Sequence, residues 1–111
     1  MIESISFGKM LYKGKVSRSD TIVYPDRMDT RWWLKDKSCI GCDDLGDVLK
    51  ASPQVVTVGL GFMMPIRISD EAVNLMKSQG ITVFVGTAEE AAEAFNQYAA
   101  TKKTIGLFHL L

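Results

Sequence analysis

The stretch VVTVGLG at residues 55–61 decides the fold class of this chain. It is a short, continuously apolar run rich in β-branched residues, which is typical of a strand covered on both faces. A second run of this kind, TVFVG at residues 82–86, follows a segment with helical spacing. Strands that alternate with helices favour an α/β sheet, so we expect residues 55–60 to form the central strand and residues 82–86 another buried strand.

Three helices are expected around these strands. The first begins at Asp43 and ends near residues 52–53, and the second covers residues 69–79. The third follows Thr87, because Glu90 three residues later completes a capping box. The apolar stripe of this third helix, which includes Phe95, predicts that it docks on the sheet.

The N-terminal part of the chain is typical of short strands. Residues 2–7 and 10–12 are apolar runs separated by glycine, which predicts a β-hairpin. Residues 20–25 predict a third strand, residues 31–34 a further extended segment, and residues 104–111 a last strand. The order of elements therefore predicts a three-layered α/β domain, with a central mixed sheet flanked by helices and an additional N-terminal hairpin layer.

The amino-acid composition of the chain excludes several classes of function. The chain has 111 residues and 47% hydrophobic content, which is enough for one domain over residues 1–111. Its 13 basic and 13 acidic residues balance, so we expect no nucleic-acid partner. The chain shows no signal-peptide pattern and no membrane-spanning run of about 18 apolar residues. Two cysteines fit a reducing compartment, and we expect a cytoplasmic location.

The chain also resembles a known family over nearly its whole length. The resemblance is carried by GKMLYKG at residues 8–14, WW at 32–33, VTVGLG at 56–61, GI at 80–81, EA at 90–91 with FN at 95–96, and GLFH at 106–109. These segments resemble the small uncharacterised α/β domain family that includes archaeal and bacterial hypothetical proteins, the adipogenesis-associated domain protein and a mitochondrial complex I assembly factor. The resemblance implies the same three-layered fold, a binding or assembly role and no established catalytic residue.

The first candidate for chemistry is the pair Cys39 and Cys42, which has C-x-x-C spacing. Such a pair can form a disulfide or supply two metal thiolates, but a tetrahedral zinc site needs two further ligands that this chain does not place nearby. Asp43 and Asp44 disfavour a thiolate beside them. We therefore expect no metal site within one chain, and the pair is structural, a redox candidate or part of a metal site shared between chains.

The second candidate is the loop that starts with Gly59 and Gly61 and continues to Met63. Ligands of α/β sheets favour the crevice beyond the carboxyl ends of the strands, and glycine lets a backbone approach a ligand closely. The loop lacks the features of a dinucleotide or Walker motif. The alternative is a tight turn in which Phe62, Met63 and Met64 pack on the sheet.

The third candidate is the segment that contains Arg31, Trp32 and Trp33. Tryptophan and arginine are enriched at interaction hot spots, whereas paired tryptophans also serve as core anchors. We expect one indole to be buried and the other to lie outside. His109 is the only histidine, and because it stands in an apolar strand we expect it to be satisfied by hydrogen-bond partners.

Two functions remain open from the sequence. The first is a non-enzymatic interaction or assembly module with an unknown protein partner, with no cofactor and with a possible homo-oligomeric state. The second is a small-molecule-binding protein or small enzyme that uses the crevice near Gly59 and Gly61, with thiol chemistry at Cys39 and Cys42. We expect any groove to lie beside the two glycines and to use one face of the tryptophan segment.

Overall fold

The computed structural model describes residues 1–111, and after residue 45 the predicted helices and strands occur in the predicted order, with one further short strand, Arg67–Ile68, that the sequence did not predict. The strands are β1 Ile2–Ser6, β2 Lys9–Tyr12, β3 Lys15–Ser17, β4 Thr21–Val23, β5 Met28–Asp29, β6 Cys39–Ile40, β7 Val55–Gly59, β8 Arg67–Ile68, β9 Thr82–Gly86 and β10 Thr104–Phe108. The helices are α1 Gly46–Lys50, α2 Asp70–Ser78 and α3 Ala88–Ala99. No helix has the length and apolar character needed to cross a bilayer.

The central sheet has the strand order β5-β4-β10-β7-β9. Strands β10, β7 and β9 are parallel, whereas β4 runs antiparallel to β10 and β5 antiparallel to β4. The predicted mixed α/β sheet is therefore confirmed. Two details were wrong. The middle strand is β10 rather than β7, because the chain crosses back over β7 after β9. In addition, β9 is a half-exposed edge strand rather than a buried one.

The helices cover the two faces of this sheet. On one face, Met76 of α2 belongs to a core cluster with Val56 of β7. On the other face, Phe95 of α3 packs in a second cluster with Phe108 of β10. Side chains of neighbouring strand residues point to opposite faces, so the continuously apolar strand β10 supplies both cores, with Leu107 in the first cluster and Phe108 in the second.

Helix α3 is built as the sequence predicts. The Thr87 hydroxyl accepts a hydrogen bond from the Glu90 amide at 3.1 Å, and the Glu90 carboxylate accepts one from the Thr87 amide at 2.9 Å. Phe95 is only 1% exposed and meets the Tyr12 ring edge to face, with a centroid distance of 6.0 Å. The predicted capping box and the docking of the Phe95 face are confirmed.

The N-terminal layer is a three-stranded antiparallel sheet in the order β1-β2-β3. The predicted hairpin is present, and β3 extends it by a strand that the sequence did not predict. The layer packs on α3, where the Asn96 side chain accepts from the Ile2 amide at 2.6 Å and donates to the Ile2 carbonyl at 3.0 Å. The layer is thus fixed to the helix by hydrogen bonds between the Asn96 side chain and the Ile2 main chain as well as by apolar contacts.

The segment between β5 and α1 differs from the prediction. Residues 31–34 form no strand, and α1 begins at Gly46 rather than at Asp43. Asp43 instead lies in a 3-10 turn at Cys42–Asp44, where the Asp44 carboxylate accepts from the Gly41 amide at 2.8 Å. The Asp44 carboxylate accepts from the main-chain amides of both Lys35 and Gly41, which favours such a turn over a regular helix.

Candidate functional site

A groove opens where the segment that follows β10 meets the loop between β5 and β6. Its volume is about 660 Å³, and it is lined by Arg18, Ser19, Asp20, Trp32, Trp33, Leu34, Lys37, His109, Leu110 and Leu111. We call this cavity the Trp33 groove. It lies beyond the carboxyl end of β10, which is the end of an α/β sheet where ligands commonly bind.

The polar wall of the Trp33 groove is an aspartate–histidine pair. His109 Nδ1 lies 2.9 and 3.0 Å from the two carboxylate oxygens of Asp20, and Nε2 lies 2.9 Å from the Met64 carbonyl oxygen. Both ring nitrogens therefore lie within hydrogen-bond distance of a partner. The prediction that His109 is satisfied by hydrogen-bond partners is confirmed. The pairing with Asp20 could not be read from the sequence, because 89 residues separate the two side chains.

Large apolar side chains are exposed beside the groove. Trp33 is 81% exposed, Met63 80% and Met64 62%. The amides of Met63 and Met64 both donate to the Leu111 main-chain oxygen at 2.8 Å, which holds the methionine loop against the groove wall. The alternative in which these methionines pack on the sheet is wrong, because the loop turns outward after Gly61. We call Trp33, Met63, Met64 and Leu111 the apolar rim.

The two tryptophans have different roles. Trp32 is buried, and its indole nitrogen donates to the Asp44 carbonyl oxygen at 3.2 Å. This contact anchors the loop, while Trp33 projects into solvent over the groove. One indole is therefore a core anchor and the other is available for binding, as expected for neighbouring residues in an extended segment.

Charged side chains at the groove are predominantly basic. Arg18 and Lys37 line it and form no ion pair within the chain, whereas the Asp20 carboxylate is already bonded to His109. Arg31 lies outside the groove, in a neighbouring cleft that also contains Asp29. The groove thus combines an apolar wall with two free cations, which suits a ligand that carries apolar groups and a negative charge.

Gly59 and Gly61 lie behind the groove rather than in its lining. Both are buried. A Cβ atom at Gly59 would lie 2.9 Å from the Ala88 Cα atom, so this glycine allows α3 to begin close to the sheet. Gly61 has a φ angle of +118°, and a Cβ atom there would lie 2.8 Å from His109 Cδ2. The pair therefore shapes the wall of the Trp33 groove through its packing against α3 and His109.

The cysteines lie apart from the Trp33 groove. Cys39 is half-buried, Cys42 is exposed, and both thiols are free. Cys39 and Ile40 form β6 and Gly41 is extended, so three residue steps separate the two Cα atoms by about 10 Å at the strand rise. A disulfide usually needs a Cα separation below about 7 Å. An intramolecular disulfide therefore requires the backbone around Gly41 to move.

The electrostatics of this cysteine turn are dominated by the aspartates. Lys35 Nζ lies 3.0 Å from the Asp43 carboxylate, and this hydrogen bond raises the pKa of Lys35 above its usual 10.5. Hydrogen bonds from Ser38 lower the pKa of Asp36 below 3.8. The Lys35 cation is thus paired with Asp43. No cluster of three His, Cys, Asp or Glu side chains is placed to hold a metal ion.

A second cavity, of about 690 Å³, lies near the start of β10, where Lys103 precedes the strand, and charged side chains of both signs line it. Arg27 stacks over the Tyr24 ring at 4.0 Å. Burial raises the pKa of Tyr24 above 10.0, and Asp47 adds to the effect. Its opposing charges and its few apolar groups make it a poorer binding site than the Trp33 groove.

Solved structures of other proteins share this fold. A conserved hypothetical protein of Pyrococcus horikoshii OT3 superposes with a TM-score of 0.86 at 20% identity, and 99% of this chain and 98% of that chain are covered. A Bordetella parapertussis protein gives 0.80 at 16% identity, with 100% and 95% covered. A Xanthomonas campestris protein gives 0.79 at 15% identity, with 99% and 83% covered. At these identities the likeness shows the fold alone.

Comparison of the amino-acid sequence with a family model shows which protein family the chain belongs to. The model described as protein of unknown function DUF498/DUF598 matches residues 2–109, which is nearly the whole chain. The match includes β7, α3 and β10, the elements that form the core, and the segment after β10 that carries His109. The chain therefore belongs to the DUF498/DUF598 family.

Proposed function

We propose that this protein is a non-enzymatic binding module that holds a segment of a partner protein in the Trp33 groove. The observation that carries the proposal is the position of Trp33, which leaves most of a large indole in water at the mouth of an apolar groove. Contiguous exposed apolar surface of this kind marks interaction sites in soluble proteins. Tryptophan is also among the residues that most often dominate binding energy.

The apolar rim supports a protein segment as the ligand. Met63 and Met64 are flexible and polarizable side chains that adapt to different apolar partners. Because they stand beside Leu111, a bound segment can extend from the groove across the methionine loop. Arg18 and Lys37 favour acidic residues at the flanks of that segment. The partner we propose is therefore an apolar peptide segment with Asp or Glu next to it.

The state of His109 favours binding over catalysis. A general base needs a free ring nitrogen within reach of the proton it removes. Here Asp20 holds Nδ1 and the Met64 carbonyl holds Nε2. The ring therefore connects the methionine loop to Asp20, which directly precedes β4, and we assign it the role of fixing the groove wall.

A more specific form of this proposal is that the binding module takes part in the assembly of other proteins. The resemblance to the adipogenesis-associated domain protein and to the mitochondrial complex I assembly factor implies that the fold can present a surface to other proteins. We propose that the Trp33 groove provides that surface in this chain. Arg31, in the adjoining cleft, would contact the same partner at the edge of the interface.

A small molecule is the second candidate ligand. The groove volume of about 660 Å³ lies within the usual range of small-molecule sites, about 300 to 1,000 Å³. The same walls would accept a compound with an apolar body and a carboxylate, which Arg18 and Lys37 would bind. The glycines Gly59 and Gly61 would then act by shaping the site. Cys39 and Cys42 lie in a separate cleft and would not touch that ligand.

Selection from a displayed library of random peptides tests the proposal. Against the immobilised wild-type chain we expect enriched peptides to carry apolar residues beside Asp or Glu. The enrichment should be lost against Trp33→Ala and kept against Val16→Ala, which removes an exposed apolar side chain from β3, a strand that does not line the groove. If no peptide is enriched, or if Trp33→Ala enriches the same sequences, the proposal fails. A thermal-shift screen of apolar carboxylic acids tests the second candidate, a small-molecule ligand in the Trp33 groove.

A further inference from the structure

The outer edge of the central sheet at β9 has unpaired main-chain groups. The Thr82 amide donates to the Gln54 carbonyl at 3.0 Å, and the Gly86 carbonyl accepts from the Leu60 amide at 2.9 Å. Both residues therefore direct their main-chain groups toward β7. The direction of these main-chain groups alternates along a strand. The N–H and C=O groups of Phe84 therefore also point toward β7, whereas those of Val83 and Val85 point outward. No other strand pairs with β9.

This edge lacks the features that usually prevent strand pairing. Exposed edges are commonly protected by charged residues, proline, bulges or very short strands. The β9 sequence TVFVG contains no charge and no proline, and its register with β7 is regular. The opposite edge strand, β5, is only two residues long. Val85 is 39% exposed, so the unprotected edge at β9 is open to solvent.

We propose that two copies of this chain pair antiparallel through β9 and form a continuous sheet across a two-fold axis. With the axis at Phe84, Val83 of one copy exchanges both main-chain hydrogen bonds with Val85 of the second copy, and Val85 with Val83 in the same way. The two-fold axis makes the interface self-complementary, as in most homodimers. This interaction is separate from the Trp33 groove and does not depend on the proposed function.

Helix α2 gives the reason for a second copy rather than another extended segment. It packs on β9, so the two-fold axis places the α2 helices of the two copies side by side and antiparallel. Its first turn is acidic, with Asp70 and Glu71, and its last turn carries Lys77. The antiparallel arrangement places the acidic end of one helix toward the basic end of the other. A second copy thus satisfies both the hydrogen bonds of the edge and the charges beside it.

Analytical ultracentrifugation over a concentration series tests the dimer. From the micromolar to the millimolar range, the weight-average mass should rise from 12.3 kDa toward twice that value. Val85→Pro should remain monomeric, since it removes an outward N–H and blocks close approach while the ladder to β7 stays intact. Val85→Thr, which has nearly the same shape and keeps the N–H, should dimerise like the wild type. A wild type that is monomeric throughout, or a Val85→Pro variant that dimerises equally well, would overturn the proposal.

Amide hydrogen exchange of the wild type gives a test that needs no variant, and it decides the question if Val85→Pro fails to fold. The Val83 and Val85 amides should exchange at least tenfold more slowly at high than at low protein concentration. The Phe84 amide faces β7 in monomer and dimer alike, so its exchange should change much less. Exchange at Val83 and Val85 that is independent of concentration would refute pairing through β9.

Discussion

Replacing Gly61 with alanine tests the packing that holds the wall of the Trp33 groove. The new Cβ atom would lie 2.8 Å from His109 Cδ2 and 3.3 Å from the Leu111 carbonyl carbon, so one of these neighbours must move. The backbone strain at a φ angle of +118° costs about 1 to 3 kcal/mol. The crowding of a packed site costs about 1 to 3 kcal/mol more. We expect Gly61→Ala to lower the free energy of unfolding by about 2 to 6 kcal/mol.

Gly80→Ala is the matched control for this change. Gly80 also has a positive φ angle, +79°, but a Cβ atom there meets nothing within 4 Å. Its substitution should cost only the backbone strain, about 1 to 2 kcal/mol. Urea unfolding of both variants gives the difference between their free energies of unfolding. The NMR signals of the His109 ring should shift in Gly61→Ala alone. A Gly61→Ala variant that loses no more stability than Gly80→Ala would refute the assigned contact with His109.

Three further results are expected. Phe95→Ala should lower the free energy of unfolding by about 3 to 5 kcal/mol in urea denaturation because the ring is fully buried, and a loss below about 0.5 kcal/mol would contradict its core position. Burial raises the pKa of Tyr12 above 10.0, with a smaller effect of Asp26, so the contribution of Tyr12 to stability should be constant below about pH 10 and be lost as pH rises through the raised pKa. Tyr12→Phe should reduce the alkaline loss in a pH series of unfolding curves and leave the part that comes from Tyr24, whose pKa is also raised. In the reduced protein, mass spectrometry should find the exposed Cys42 alkylated faster than the half-buried Cys39, and equal rates would contradict their difference in exposure.

Local sequence patterns predicted the elements that depend on local interactions. The β-branched runs became β7 and β9, and the capping box of Thr87 and Glu90 marks the start of α3. The order of strands in the sheet depends on long-range pairing instead. The insertion of β10 between β7 and β4 has no local signature, which is why β7 was placed in the middle.

The candidate site was predictable only in part. Apolar character alone could not decide that Trp32 is buried and that Trp33, Met63 and Met64 are exposed, because the difference comes from the path of two loops. The binding role of the tryptophan segment stays a prediction. The basic side chains Arg18 and Lys37 gave no sequence signal, since they meet only after the chain folds. For the same reason, the hydrogen bonds between Asp20 and His109 could not be predicted from the sequence.

The affinity of an enriched acidic, apolar peptide for wild-type and Trp33→Ala protein tests the central claim most directly. We expect Trp33→Ala to weaken the affinity by at least about tenfold, or 1.4 kcal/mol, in isothermal titration calorimetry, because Trp33 would be the main apolar contact. Val16→Ala should bind like the wild type. An unchanged affinity of a folded Trp33→Ala variant would contradict the claim that the Trp33 groove is the binding surface.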